Sequence, residues 1–453
     1  MSCNCTTIML SDGKASPSVE SVEYLFDLGA FGRKITTSSP PLKSGSIGAI
    51  AYDPKCAMAY WGIAYALGAN YNHPWDLFDE GNLAVTLPAT YQAAQTTNSL
   101  AAFATPVEQG LINAISVRFL TKQVVSVSEL VAHSREYKCA MEGIYRDFGD
   151  DLDVVTLYAD SMMSLTPWRL YDVATGQPTK GAFTLESKDV LERGLQLEDA
   201  LKHPGPLHLY IHLSEMSPNP ERALSVAEHL RDLVPDAGHT HHMPTHLDVL
   251  VGDYRRAISS NIHATLADEK YFAVEGPNSF YSLYRLHNYH SLIYSAMHAG
   301  KKQIALETAD RMERTIPAEV LRSKSPNLAD WLEGFVAVHL HVMVRFGMWC
   351  EIIAMALPKD QELYCVTTAI IHYAKGVAYA ITNRVTEHPN NVWALQGYYE
   401  CLVRLGRDDE AKLLEPQVKV ALAVADVLVK SSCFCRLNTS DCPDVRVLTS
   451  YCK

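Results

Sequence analysis

A chain of 453 residues, 48% hydrophobic and 20% charged, has globular composition and room for several ordinary domains or one extended helical array. Its net charge of −12 argues against nucleic acid or an anionic membrane surface as partner, and no apolar run reaches the roughly 18 residues that cross a bilayer. Eleven cysteines, an odd count, suit reduced thiols better than a disulfide framework, and "MSCNCTTIMLSDGKASPS" lacks a basic, apolar leader, so the expected compartment is the cytoplasm.

Residues 1–45 read as irregular. "DPKCAMAYWGIAYALG" (53–68) then places aromatics and alanines at helical spacing and stops on Gly68. Residues 68–95 read as an insertion carrying "NHPWD", with His73 and Trp75, and "LTPWRLYD", with Trp168, reads as a second loop. In "LHLYIHLSE", His208, His212 and Glu215 recur at i, i+4 and i+7, one stripe of a helix. "HMPTHLDVLVGDYRRAISSNIHA" (242–264) starts a helix at Pro244 between His242 and His246, then turns at Gly252 with Tyr254 and Ala257 at the crossing. "YRLHNYHSLIY" sets His287 and His290 three apart. Residues 291–317 and 392–426 repeat the pattern of helix, glycine, helix, around Gly300 and Gly406. Cys56, Cys139, Cys350, Cys365 and Cys401 read as small core residues. The tail, 429–453, holds Cys433, Cys435, Cys442 and Cys452, in spacings that match no zinc pattern.

Strand signals are scarce. Small residues where helices cross, glycine at the turn and a period of about 34 residues resemble tetratricopeptide repeats. The expected fold is therefore all-α: a superhelix of stacked antiparallel helical hairpins around a central cavity, formed by residues 46–428 as one domain.

Twelve of the 18 histidines fall between His203 and His298, where even scattering would put about four. Two imidazoles one helical turn apart can reach a single ion without strain, at about 2 Å each. The three pairs, His208 with His212, His242 with His246 and His287 with His290, would supply six nitrogens. That is too many for one catalytic zinc and suits two ions with three histidines apiece. Glu215, one turn past His212, is the candidate for a ligand, an anchor behind the ligands or a catalytic base.

Together, "LHLYIHLSE", "HMPTHLDVLVGDY" and "LHNYH" resemble three blocks of a widespread group of tetratricopeptide-repeat proteins. In that group the blocks read approximately HYYIHxxE, HMPSHIxxRxGxY and HNxHF, and "AMAYWGIAYALGAN" resembles a fourth. The similarity spans roughly residues 50–320 and matches at His208, His212, Glu215, His242, His246, His287 and His290. It implies the fold and leaves the activity open.

Imidazole-rich donors without thiolate favour copper or zinc. Two copper ions would activate O2 to oxidise a small aromatic substrate; two zincs would make a hydrolase with Glu215 moving the proton. Paired hydrolytic zincs usually share a carboxylate, and the histidine blocks contain no bridging aspartate, so copper is favoured. His73, Trp75, Trp168 and Tyr284 are the candidate substrate lining, and Arg169 and Arg285 could meet a substrate carboxylate. His239 and His241, in "GHTHHMPTH", read as an exposed turn, with spare ligands as the alternative, and His263 as a lone helical histidine. The rival is a non-catalytic scaffold whose repeat surface binds a protein partner or a second copy in a homo-oligomer.

Overall fold

The computed structural model describes residues 53–277, 281–323, 329–381, 392–404 and 406–423, with residues 50 and 429. Residues 1–45, with Cys3 and Cys5, and the tail beyond residue 429, with its four cysteines, lie outside them. The described residues are helical apart from loops and one two-residue hairpin, in which Tyr171 pairs with Pro178 and Asp172 with Gln177. None of these helices is long and apolar enough to cross a membrane. The chain forms two compact units, one of residues 1–301 with 314–332, the other of 302–313 with 333–453.

In the first unit, α1 (Ala57–Leu67) packs on α2 (Glu80–Ser99) and α3 (Pro106–Arg118) on α4 (Val127–Phe148). Then follow α5 (Leu152–Met163), α6 (Thr184–Gly194), α7 (Pro204–Glu215), α8 (Leu224–Leu230), α9 (Gly238–His242), α10 (Pro244–Leu250), α11 (Tyr254–Glu275) and α12 (Tyr281–His298). Local chemistry sets these starts. Asp79, Thr105, Ser126 and Asp151 each accept from a backbone N–H of the first turn, and Thr105 with Glu108 closes a capping box ahead of Pro106.

Much of the expected 68–95 insertion is the helix α2. Asp79 caps it, and buried Leu83, Leu87, Thr90, Ala94 and Thr97 seat it on α1. Its small buried residues hid the apolar stripe from a hydrophobicity reading. The true connection is residues 68–79, anchored where buried Arg118 donates through Nη2 to the Ala69 carbonyl oxygen.

One core joins α1 through α7, with Trp61 donating through Nε1 to the Leu111 carbonyl oxygen at 3.0 Å. A second, smaller core gathers Leu207 and Ile211 with Ala223, Ala227, Leu230, Met243 and Leu247. Helix α7 is thus pinned on two sides, Leu209 and Leu213 entering the first core and Leu207 and Ile211 the second. Its third stripe is left to His208, His212 and Glu215.

In the second unit, α13 (Lys302–Glu313) packs on α14 (Val338–Arg345), followed by α15 (Trp349–Ala354), α16 (Cys365–Ile381), α17 (Val392–Arg404) and α18 (Asp408–Ala423). Each packs on the next, around Leu340, Met343, Ile352, Ile371 and Ala374, and farther on around Leu395, Val418 and Ala421. Gly406, at φ 68°, makes the α17–α18 turn. Cys139, Cys350 and Cys365 are exposed on their helices rather than in the core, whereas Cys56 is buried.

Candidate metal centre

The histidines converge in the first unit, in two triplets. His208 and His212 of α7 meet His239 of α9; His242 of α9 and His246 of α10 meet His287 of α12. Within each triplet one ligating atom per residue lies within 4.8 Å of the others. The triplets adjoin: the His212 and His246 ring centroids are 6.1 Å apart, as are those of His239 and His242.

Two elements make this possible. His208 and His212 lie one turn apart on the free stripe of α7. Helices α9 and α10 run almost end to end, Met243 between them at φ −52°, ψ −44°, and Pro244, which lacks an N–H, marks the break. His239, His242 and His246 therefore follow one another at near-helical spacing. Gly238 lets α9 approach α11: a Cβ there would lie 2.0 Å from Asp268 Oδ1. Asp268 is itself fixed by Asn288 Nδ2 at 2.8 Å and by the Tyr281 hydroxyl, and burial lifts its pKa to about 6.

Distances within the triplets suit a shared ion. His208 Nε2 and His239 Nε2 are 3.2 Å apart, and His242 Nε2 and His246 Nε2 2.8 Å. Two imidazole nitrogens on one tetrahedral ion, at about 2.0–2.1 Å each, stand about 3.3 Å apart. Behind them, Glu215 spans both groups. Its Oε1 accepts from His212 Nδ1 at 2.8 Å, and its Oε2 pairs with His246 Nδ1. Asn261 Oδ1 lies 2.8 Å from His242 Nδ1. Each contact puts the proton on Nδ1 and leaves the Nε2 lone pair facing the centre.

Three of the rings are held toward the neutral form. Burial holds His212 down to about 4 against the pull of Glu215, and takes His242 well below the ordinary range. Burial and the neighbouring imidazoles bring His287 to about 3, although its ring is open to the space beside it. Burial also disfavours the charged form of His246, yet Glu215 outweighs it and raises that group. The difference from His212 lies in the neighbours: the imidazoles of His208 and His246 also push His212 down, whereas Glu215 is the neighbour that acts on His246. Burial alone would raise the Glu215 carboxyl, but His246 and His212 hold it far below the usual carboxylate range.

The ligand set differs from the sequence reading at two positions. His239 is buried in the first triplet rather than on an exposed turn, and His290 belongs to neither triplet. His239 precedes His242 by three residues, one helical turn, and that spacing was the available signal. Glu215 faces Nδ1 atoms through both oxygens, the place of an anchor behind the ligands.

Of the expected substrate lining, Tyr284 lies edge-on to His239 with ring centroids 5.3 Å apart. Trp168 is 45% exposed, at φ 55°, and donates through Nε1 to Asn72 Oδ1 at 3.3 Å. His73 and Trp75 are placed elsewhere. His73 is buried and stacks on Phe78 at 4.0 Å; Trp75 is 4% exposed in the first core and donates to Ser134 Oγ at 3.3 Å. The His-Pro-Trp segment folds inward because two bulky rings bury more apolar area than the loop leaves open. Arg285 is also buried, held by Thr315 over the Phe272 ring.

Two further residues stand at the centre: Tyr71, one of the aromatics the sequence supplies around the site, and Asn72, which carried no sequence signal. The Tyr71 ring lies 4.7 Å from that of His212, and Asn72 Nδ2 lies 3.2 Å from His212 Nε2 and 3.5 Å from His239 Nε2.

No family profile and no curated protein matches the chain. Among solved structures, the TPR domain of P58(IPK) aligns over 89% of this chain and 97% of its own at 14% identity, with a TM-score of 0.19.

Proposed function

We propose that the chain is a metalloenzyme whose two histidine triplets hold two ions, copper favoured, and that it uses O2 to oxidise a small aromatic substrate. The observation that carries this reading is the pair of adjacent triplets, each built only of imidazole, with their one shared carboxylate turned to Nδ1 atoms.

That donor set fits copper. Imidazole supports both its oxidation states, and one carboxylate among six imidazoles carries little negative charge to offset two permanent dications. Bound copper would supply two-electron exchange with O2. The protein's own residues do the rest. Glu215 and Asn261 fix ring orientation through Nδ1, and burial keeps His212, His242 and His287 unprotonated as ligands. Trp168, 45% exposed, offers aromatic surface for a flat substrate, with buried Tyr71 edge-on to it and buried Tyr284 edge-on to His239.

Elemental analysis of untagged protein, reconstituted with copper or zinc and desalted, tests the reading, followed by O2-uptake assays on phenols and related aromatics. About two coppers per chain with substrate-dependent O2 uptake is the expected result. Two zincs and no O2 uptake would make it a hydrolase, and no metal above background would return it to a protein-binding scaffold.

A further inference from the structure

On the other side of α9 lies a third group of ligating side chains, sharing no member with the two triplets. We propose that Asp232, His241 and His263 form a separate, peripheral site for a divalent cation of the zinc class. Nδ1 of His241 and Nδ1 of His263 each lie 3.3 Å from the same Asp232 Oδ1, and the two rings are 5.7 Å apart at their centroids. One ligating atom from each residue falls within 4.8 Å of the others.

His241 carries the inference. Its side chain is 5% exposed, and its Nε2 lies 3.2 Å from the Pro235 carbonyl oxygen. A carbonyl only accepts, so Nε2 bears the hydrogen and the neutral ring keeps its lone pair on Nδ1. That Nδ1 is enclosed and has no hydrogen-bond partner; Asp232 Oδ1 is near it but out of line. A buried lone pair and a carboxylate oxygen directed into the same space repel each other, and a cation between them removes that cost. His263 adds a second imidazole nitrogen. The Asp232 and His263 side chains are 66% and 53% exposed, so water can complete a four-coordinate shell.

The position gives the site a purpose. His239 and His242 leave α9 toward the central triplets, and His241, between them, leaves it on the opposite side. A helix of five residues has little stability of its own. A peripheral cation tying α9 to the loop before it and to α11 makes Asp232, His241 and His263 positioning residues for His239 and His242.

The test is zinc titration of the full-length untagged protein by calorimetry, with elemental analysis after dialysis, for wild type, Asp232→Asn, His263→Ala and a His208→Ala/His246→Ala double variant. Asp232 and His263 are exposed, so circular dichroism should show both single variants folded. Wild type is expected to bind one zinc more than His263→Ala or Asp232→Asn, or to hold that zinc at least about 10-fold more tightly, while the double variant retains it. Equal stoichiometry and affinity in wild type and both single variants would overturn the proposal and leave a solvated ion-pair cluster. The central reading is judged separately. If the double variant loses nothing while His263→Ala loses a zinc, the peripheral site stands and the dinuclear centre falls.

Discussion

His212 and His246 stand on different helices with ring centroids 6.1 Å apart, yet each directs its Nδ1 at one oxygen of the same carboxylate, Glu215. That carboxylate couples the orientation of the two triplets. Glu215→Gln keeps the shape and removes the charge, and one end of the amide can only donate. Metal affinity is expected to fall about 10–100-fold at both positions, with helicity unchanged by circular dichroism. Undiminished binding in a metal titration would show that the imidazoles hold their orientation without it.

His239→Ala and His290→Ala separate the two assignments of the sixth ligand. The geometry places His239 Nε2 3.2 Å from His208 Nε2 and leaves His290 outside both triplets. His239→Ala should lose one of two metal equivalents by elemental analysis, and His290→Ala should keep both. The reverse result would restore the three-pair arrangement.

Protonation gives the metal-free protein a definite acid response. The folded state holds His212 at about 4 and His287 at about 3, from an ordinary value of 6.5, and His242 is also lowered. Below pH 6.5 the unfolded chain takes up protons that the folded one refuses, so this stability is complete above 6.5 and is lost as pH falls toward 3. His246, whose value is raised, works in the opposite sense, favouring the fold below 6.5. Asp268, lifted to about 6, works in that same opposite sense; buried His212 and His242, with a smaller share from exposed His287, outweigh these two raised groups. The Tm of chelator-treated protein should therefore drop between pH 6.5 and 4, by roughly 2–4 °C per kcal/mol lost. A flat Tm across that window would count against neutral buried imidazoles.

Trp75 and Trp168 were alike in sequence and differ in place. Trp75→Ala opens a hole in the first core and should cost about 3–5 kcal/mol in urea unfolding. Trp168→Ala, at an exposed ring, should stay within about 0.5 kcal/mol while raising KM for an aromatic substrate once activity is in hand. Similar destabilisation by both would mean that the Trp168 loop is packed more tightly than its exposure indicates.

Sequence made the helical architecture legible because its signals are local: caps such as Asp151, proline at the first helical turn and glycine where helices reverse. The in-phase histidines of α7 were legible for the same reason. Pairs, however, are a property of one helix, whereas triplets are a property of packing. His239 reached the centre because Gly238 lets α9 press against Asp268, a contact between residues 30 apart that periodicity cannot report. Asn72 and Tyr71 arrive on a loop fixed by Arg118 from yet another helix. The insertion misread at 68–95 failed differently: α2 buries alanines and threonines, which a hydrophobicity count passes over.

The order of the ligands along the chain has a consequence in time. Every residue of the first triplet has been synthesised once residue 239 is made, and its α11 support is complete by residue 275. The second triplet stays open until His287 of α12 arrives. Synthesis therefore completes the two triplets in succession, and Glu215, made before either is whole, is the carboxylate on which the later one closes.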